Sequence, residues 1–512
     1  MIRRLWRGRP VLAATASTIA LLSLTPAAYL VIRALGDGWT QAWQLLTRPR
    51  VLELTVNTLV LTGSVVAASL LLGIVLAWLT TMSDLPFRGV WAAVLAVPLA
   101  IPSYVTAFIW VAELPQTAGF FGAFAVLTLS CFPLVTLPVS AAMRTGDRSG
   151  SEQSRMLGRG PLHTAATIGS RRIAPAAAAG ALLVALYTIS DFGAVALMRF
   201  DVYTLGIYSA YRGSFDRTSA AILGLVLLVL AFAFTMGERA ARRGATARVG
   251  AGVGREALPF ALGRLRIPAS LSVAAIAGLA VGFPVYGLLR WMTESLRLTI
   301  EWTDVLSAAT TSVELSLTAA LVVAVLAWPI ALYAARSTSW LSRGTETMTY
   351  LAHGLPGITV GLATVFFGIR FLPSLYQTTW LLILAYAVLF LPLSVGSTRA
   401  GLVAIPTSLD DSARLLGSGN ILGDLRIRLP IAFPAIASGA ALVFLTVAKE
   451  LPATLMLRPR GEDTLATSLW SLTSVFKYGE AAPYALAIIL ISVVPSIALQ
   501  QVLAGRSESK KR

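Results

Sequence analysis

EQSRMLGRGPLHTAATIGSRRIAP, residues 152–175, and DSARLLGSGNILGDLRIRLPIAFP, residues 411–434, are two versions of one segment. Glu152 corresponds to Asp411, Gly158 to Gly417 and Pro175 to Pro434, each later residue standing 259 positions after its counterpart. The same spacing relates Asp191 in DFGAV to Glu450 in ELPAT, and it becomes 260 for Thr204-Leu205 and Thr464-Leu465 after one inserted residue. Apolar helices align by chance on Leu, Ala and Val. They do not hold acidic, glycine and proline positions in one register over so long a stretch. The chain is an internal repeat.

What is repeated is membrane-spanning. The 512 residues are 56% hydrophobic and only 13% charged, with a mean hydropathy of +0.76. Average soluble domains carry about 25% charge, and this balance cannot fold around one aqueous core. Apolar runs fall near 11–33, 54–81, 88–112, 118–142, 174–198, 218–237, 268–292, 310–335, 346–369, 377–397, 432–456 and 482–503, each about the length that crosses a bilayer. The first, after MIRRLWRGRP, reads as a retained span and not as a cleaved leader. Twelve spans make an all-α integral membrane protein. Its two parallel six-helix halves are residues 1–237 and 268–512, joined by a Gly/Arg-rich cytoplasmic linker at 238–267.

Charge sets the orientation. The net charge of +17 comes from arginines scattered between apolar runs, so it points to loop topology and not to nucleic acid. Arg3, Arg4, Arg7 and Arg9, the cluster from Arg144 to Arg172, the cluster from Arg239 to Arg266, and Lys510, Lys511 and Arg512 all fall on one side of a twelve-span chain. That side is the cytoplasm, which places both termini there. Arg458, Arg460 and Lys477 lie on the other side. Cys131 stands alone in an apolar run, and His163 and His353 are the only histidines, too few for a zinc or haem site.

The repeated segment follows spans four and ten. Each copy reads as a short cytoplasmic helix (152–157; 411–416), a glycine, a second helical piece, and a proline at the membrane. The leading acid suits a helix N-terminus, the glycine suits a helix stop, and two copies favour docking on another protein over a mere connector. Acid, glycine six residues later and Leu-Pro thirteen after that resembles the EAA loop of ATP-binding-cassette importer permeases of the fused type. The second half carries it as Asp411, Ala413, Gly417, Leu429 and Pro430, with Asp where the family has Glu; the first keeps Glu152 and Gly158 but has Ser170-Arg171 where Leu-Pro is expected. The resemblance implies that residues 152–158 and 411–417 are coupling helices seated in two ATP-binding-cassette ATPase subunits. The chain has no G-x-x-x-x-G-K-[ST] motif of its own, so ATP and Mg belong to those partners. No cofactor is expected on this chain, and none of its residues is assigned as catalytic.

KELPATLMLRP, residues 449–459, with DFGAV in the first half, is similar to the ferric-iron importer permeases, relatives of the thiamine, polyamine, sulfate and phosphonate permeases. The resemblance implies a bacterial cytoplasmic (inner) membrane protein that receives ferric iron from a periplasmic or extracellular solute-binding protein. The residues have their own logic. Glu450 lies 16 residues beyond Pro434, as Asp191 does beyond Pro175, which is about 24 Å of helix in a hydrocarbon core about 30 Å thick. Two carboxylates at equal depth in the outer part of the membrane cost several kcal/mol unless they meet water or a partner. Pro452 disfavours helix at Leu451 and Gly193 permits the same break after Asp191, so Asp191, Gly193, Lys449, Glu450 and Pro452 are the candidate outer gate. Carboxylate oxygens suit a hard cation. Equally, the acids can cap broken helices or hold a structural ion pair without meeting substrate. Pro102 and Pro356, inside spans three and nine, are expected as packed kinks or as hinges, and Trp39, Trp43, Trp302, Tyr376, Trp380, Trp470 and Tyr478 as interface belts. A twelve-span secondary transporter is the alternative of another class. It leaves the repeated loops unexplained and needs more charge between spans two and three than SDLPFRG, residues 83–89, provides.

Overall fold

The structure, a computed structural model, describes residues 10–145, 170–243, 260–406, 408–409 and 423–492, apart from positions 35, 37, 214–215, 298–299 and 354. The coupling-loop residues Glu152, Gly158, Asp411, Ala413 and Gly417 lie outside the described residues. Among the described residues there is no strand, only one isolated bridge between Ser83 and Phe260.

The first half contributes α1 (Pro10–Ala34), α2 (Pro49–Thr81), α3 (Arg88–Val94), α4 (Ser103–Glu113), α5 (Phe120–Cys131), α6 (Pro133–Thr145), α7 (Ser170–Ser190), α8 (Gly193–Leu197), α9 (Tyr203–Tyr208) and α10 (Arg217–Arg243). The second contributes α11 (Arg266–Ala277), α12 (Phe283–Ser295), α13 (Trp302–Arg336), α14 (Trp340–His353), α15 (Gly357–Phe371), α16 (Thr379–Val403), α17 (Leu429–Val447), α18 (Pro452–Leu457) and α19 (Leu465–Ser474), then an apolar helix α20 (Tyr478–Ser492). Nine helical stretches among the described residues are long and apolar enough to cross a bilayer; a bent pair, Arg88–Leu99 with Ser103–Glu113, and the shorter α15 and α20 fall on the other three apolar runs.

Spans three and nine are broken, not kinked. The two pieces of span three meet at 90°. Pro102 is extended at φ −59°, ψ 141°, and Pro356 at φ −61°, ψ 139°, each standing immediately before a new helix. Proline offers no N–H to a preceding turn. Its carbonyl instead opens the next helix, accepting from Val105 (3.0 Å) and Thr106 (3.2 Å) at Pro102, and from Thr359 (2.9 Å) and Val360 (3.1 Å) at Pro356.

The halves interlock through their first spans. α1 packs on α13, α14 and α15 of the second half, while α11 and α12 pack on α3 and α4 of the first. Val273, Ala277 and Ala280 share a buried cluster with Leu76, Leu79 and Phe132, Arg290 is ion-paired to Glu113, and a Cβ on Gly287 would stand 2.2 Å from Ile109 Cγ2. Small residues allow close helix crossings, as membrane interfaces favour: Gly73 and Gly180 both abut Val135. α10 continues to Arg243, into the stretch expected as linker. At the other end of that stretch, Phe260 N–H donates to the Met82 carbonyl (2.7 Å), Asp84 N–H to the Phe260 carbonyl (3.0 Å), and Leu262 N–H to Asp84 Oδ1 (2.9 Å). Asp84 in SDLPFRG thus anchors the chain as it enters the second half.

The expected aromatic belts divide. Trp39, Trp43, Trp302 and Trp380 are exposed, as belt residues should be. Trp470 and Tyr478 instead pack inward, Trp470 against Phe192 (5.0 Å between ring centroids) and Tyr478 against Phe108 (5.8 Å), because their helices dock on the first half.

Candidate functional site

Spans five and eleven both stop short and restart. α7 ends at Ser190, Asp191 and Phe192 are non-helical, and α8 begins at Gly193. α17 ends at Val447, Ala448 to Leu451 form the break, and α18 begins at Pro452. A break inside a bilayer frees backbone donors that need partners, and in each half the acid supplies them. Asp191 Oδ1 accepts from the N–H groups of Ala194 (2.9 Å) and Val195 (3.4 Å). Glu450 accepts from Ala453 N–H through Oε1 (2.9 Å) and from Thr454 N–H through Oε2 (3.0 Å). Each carboxylate is the N-terminal cap of the short helix after the break.

The acids are also seated against the broken helices of spans three and nine. Ser103, the residue after Pro102, donates its hydroxyl to Asp191 Oδ2. Gly357, the residue after Pro356, lies so close to Glu450 that a Cβ there would stand 2.8 Å from Oε1 and 3.2 Å from Pro452 Cγ. Where the first half uses a serine, the second has no side chain, and Glu450 takes its further bond from the Thr454 hydroxyl (2.7 Å), itself bonded to the Tyr386 hydroxyl (2.7 Å). Thr204 ties the first break to α9 by donating to the Asp191 carbonyl (2.7 Å).

The two breaks meet. A Cβ on Gly193 would stand 2.5 Å from Tyr104 Cβ and 3.2 Å from Leu451 Cδ2 of the second break. Tyr104 donates its hydroxyl to the Lys449 carbonyl (3.3 Å), and Lys449 Nζ donates to the Leu99 carbonyl of the first half (3.2 Å). Phe192, Tyr208 and Trp470 cluster above, with Phe192 5.0 Å from each of the other two rings. All five candidate gate residues therefore sit at one junction between the halves. Lys449 and Glu450 point different ways, and among the described residues no ion pair joins them.

Sequence reasoning missed Ser103, Tyr104, Gly357, Tyr386 and Thr454. Pro102 and Pro356 were the available signal, since the residues that receive the acids follow them directly. Of the coupling-loop candidates, the described ones are Leu429 and Pro430. They begin α17 after a wide turn, Asp424–Arg428, whose end residues form an ion pair. Among the described residues no group of three or more His, Cys, Asp or Glu side chains could hold a metal ion.

Known proteins share this arrangement of sequence. The family of binding-protein-dependent transport system inner membrane components matches twice, over residues 69–243 and 327–506. The Fe(3+)-transport system permease protein of Haemophilus influenzae is 33% identical over 488 residues, 94% of this chain and 96% of its own length. The sulfate transport system permease protein of Escherichia coli is 25% identical over 235 residues, 41% of this chain and 83% of its own. A putative 2-aminoethylphosphonate transport system permease protein of Salmonella typhimurium is 25% identical over 170 residues, 33% of this chain and 63% of its own. With the family's segment present in both halves and a relative aligned along nearly the whole chain, this protein belongs to the binding-protein-dependent transport system inner membrane components, as a multi-pass permease of the inner membrane.

Proposed function

We propose that this chain is the permease of an ATP-driven importer whose substrate is ferric iron. The observation that carries the reading is the alignment with the Fe(3+)-transport permease over 94% of the chain, which spans both halves and both broken-helix motifs. In this reading the permease halves are residues 1–237 and 268–512, joined by the linker at 238–267, and both termini are cytoplasmic. A solute-binding protein delivers iron to the outer segments 199–217 and 457–481. Two ATPase subunits bind the loops around Glu152–Gly158 and Asp411–Gly417, hydrolyse ATP with Mg, and draw the loops together. The pull reaches the outer junction along α7 and α17, which follow those loops and end at Ser190 and Val447, just before Asp191 and Glu450.

The seating of the acids supports a part for them in gating. Each cap belongs to span five or eleven but is held by the start of the helix after Pro102 or Pro356. Separating the halves must move these seats with the caps or strip the caps from them. The junction is thus two short rigid pieces, each fastened to a neighbour, meeting at Gly193, Tyr104 and Leu451.

The test is ATP hydrolysis by the complex in lipid, with candidate binding proteins added loaded and empty. Stimulation by the ferric-loaded binding protein is the expected result. Stimulation only by a protein loaded with sulfate, a phosphonate, thiamine or a polyamine removes the iron reading and keeps the importer.

A further inference from the structure

An iron permease meets a problem of charge at this junction. A hard trivalent cation is held by oxygen donors, carboxylates foremost. Both carboxylates here face away, into the N–H groups of α8 and α18. What the junction presents is a cation. Lys449 is partly buried, and among the described residues its ammonium bonds only the Leu99 carbonyl across the boundary between halves and has no carboxylate within ion-pair distance. Its repeat counterpart is Ser190, so the broken-helix geometry does not require a charge at this position. A buried, strongly hydrated ammonium is costly to keep in a membrane protein without a counter-charge.

On the approach from outside, cations without a carboxylate partner outnumber carboxylates without a cationic one among the described residues. Every carboxylate of segments 199–217 and 457–481 is engaged. Asp201 pairs with Arg50 (2.8 Å), Asp463 with Arg458, and Glu480 with Lys477 (3.0 Å). Asp216 accepts from Ser219 (2.9 Å from N–H, 2.6 Å from the hydroxyl), and Glu462 from Thr379 (2.9 Å). Arg199, Arg212 and Arg460 have no carboxylate partner among the described residues; Arg199 lies over the Phe476 ring, 5.2 Å from its centroid. Arg212 stands near enough to Arg458 that its charge, after the larger effect of burial, lowers the Arg458 guanidinium below its usual pKa.

We infer that the permeant is anionic: iron crosses inside a shell of oxyanion or carboxylate ligands, and Lys449 donates a charge-assisted hydrogen bond to that shell at the junction. The inference rests on the iron reading above and supplies its substrate class. A bare trivalent ion would be repelled by Arg212 and Lys449 in turn and would meet no group of three or more His, Cys, Asp or Glu side chains among the described residues. An anionic complex is drawn in by the same groups and brings its own ligands.

The test uses the whole complex in proteoliposomes, with its ATPase and solute-binding partners. Radioactive iron is delivered on the binding protein, together with labelled inorganic phosphate or labelled citrate. Accumulation of iron with one anion label at a fixed ratio supports the inference. So does a fall in iron uptake of about tenfold or more when phosphate, carbonate and carboxylate chelators are removed, the loss expected for one charge-assisted hydrogen bond. ATP-driven uptake of the anion label without iron keeps the anionic permeant and removes the iron reading alone. Iron accumulating with neither label, at the same rate in anion-free buffer, overturns the inference and leaves the iron reading standing. Lys449→Gln is expected to lower uptake about 10- to 100-fold, with Lys449→Arg restoring most of it. Unchanged uptake and an unchanged anion-to-iron ratio in Lys449→Gln would remove Lys449 from the account.

Discussion

If Glu450 works as a helix cap, its charge matters less than its oxygens. Glu450→Ala removes the acceptor of two backbone N–H groups, Ala453 and Thr454, and of the Thr454 hydroxyl. The hydroxyl keeps the Glu450 carbonyl (2.9 Å) and Tyr386, so the loss falls on the two N–H groups. Loss of a cap costs about 0.5–2 kcal/mol, and a buried N–H left unpaired costs about 1–3 kcal/mol. The cap is made of these same two bonds, so they are counted once, and two N–H groups give about 2–6 kcal/mol for Glu450→Ala. Glu450→Gln keeps one oxygen acceptor and the shape of the side chain, and should cost about 1 kcal/mol. Thermal melting of the purified chain in detergent, followed by tryptophan fluorescence, should rank wild type, then Gln, then Ala, with ATP-driven uptake in the same order. Two outcomes would refute the reasoning. One is a Glu450→Ala protein that melts with the wild type. The other is a Glu450→Gln protein of wild-type stability that cannot transport, since then the carboxylate charge itself acts on the permeant.

Gly287→Leu forces a Cβ to within 2.2 Å of Ile109 Cγ2 and should destabilise by about 1–3 kcal/mol, read as a lower melting temperature; an unchanged melt would mean that α12 does not lie against α4. Asp216, at the N-terminal end of α10, is held below the usual carboxylate pKa, first by the Ser219 hydroxyl and then by its N–H. Its contribution is therefore complete above an unfolded pKa of about 3.9 and is lost as pH falls through the lower folded value, so Asp216→Asn should flatten the acid limb of a stability–pH curve. Asp411→Arg should leave melting intact while abolishing uptake and the stimulation of ATP hydrolysis by loaded binding protein, and wild-type uptake in that variant would remove the docking role of its loop.

The repeat was legible because Glu152/Asp411, Gly158/Gly417 and Pro175/Pro434 keep one spacing, and the breaks were legible because proline and glycine act on their own neighbours. Pro452 ends helix locally whatever surrounds it. The partners of the acids were not legible. Ser103 lies 88 residues from Asp191, and nothing in the string of residues distinguishes it from the other serines until the bend of span three brings it there. Span three shows the same limit. Run 88–112 has the length and apolarity of one helix, and a proline inside such a run permits a kink or a full break; tertiary packing of α11 against α3 and α12 against α4 selects the break. Trp470 and Tyr478 were misplaced for a related reason: amphipathic rings suit a headgroup belt and a helix interface alike, and only the docking of α19 and α20 on the first half separates the two.

The repeat also locates what is specific to this chain, because divergence between the halves stands out against a shared backbone. Both halves break the helix at the same depth, cap the restart with an acid, and place the cap against the residue after a proline. They differ in what surrounds that device. The first half pairs Asp191 with Ser103 and has Ser190 and Phe192 on either side; the second pairs Glu450 with Thr454 and has Lys449 and Leu451. A symmetric pair of identical chains would carry any charge at the break twice, placing two ammonium groups at one junction. A fused chain carries it once. The single lysine bonds a carbonyl of the opposite half, so one donor faces the boundary instead of two mutually repelling ones. The backbone device is common to both copies; the lysine, with no ion-pair partner among the described residues, is what the second half alone carries.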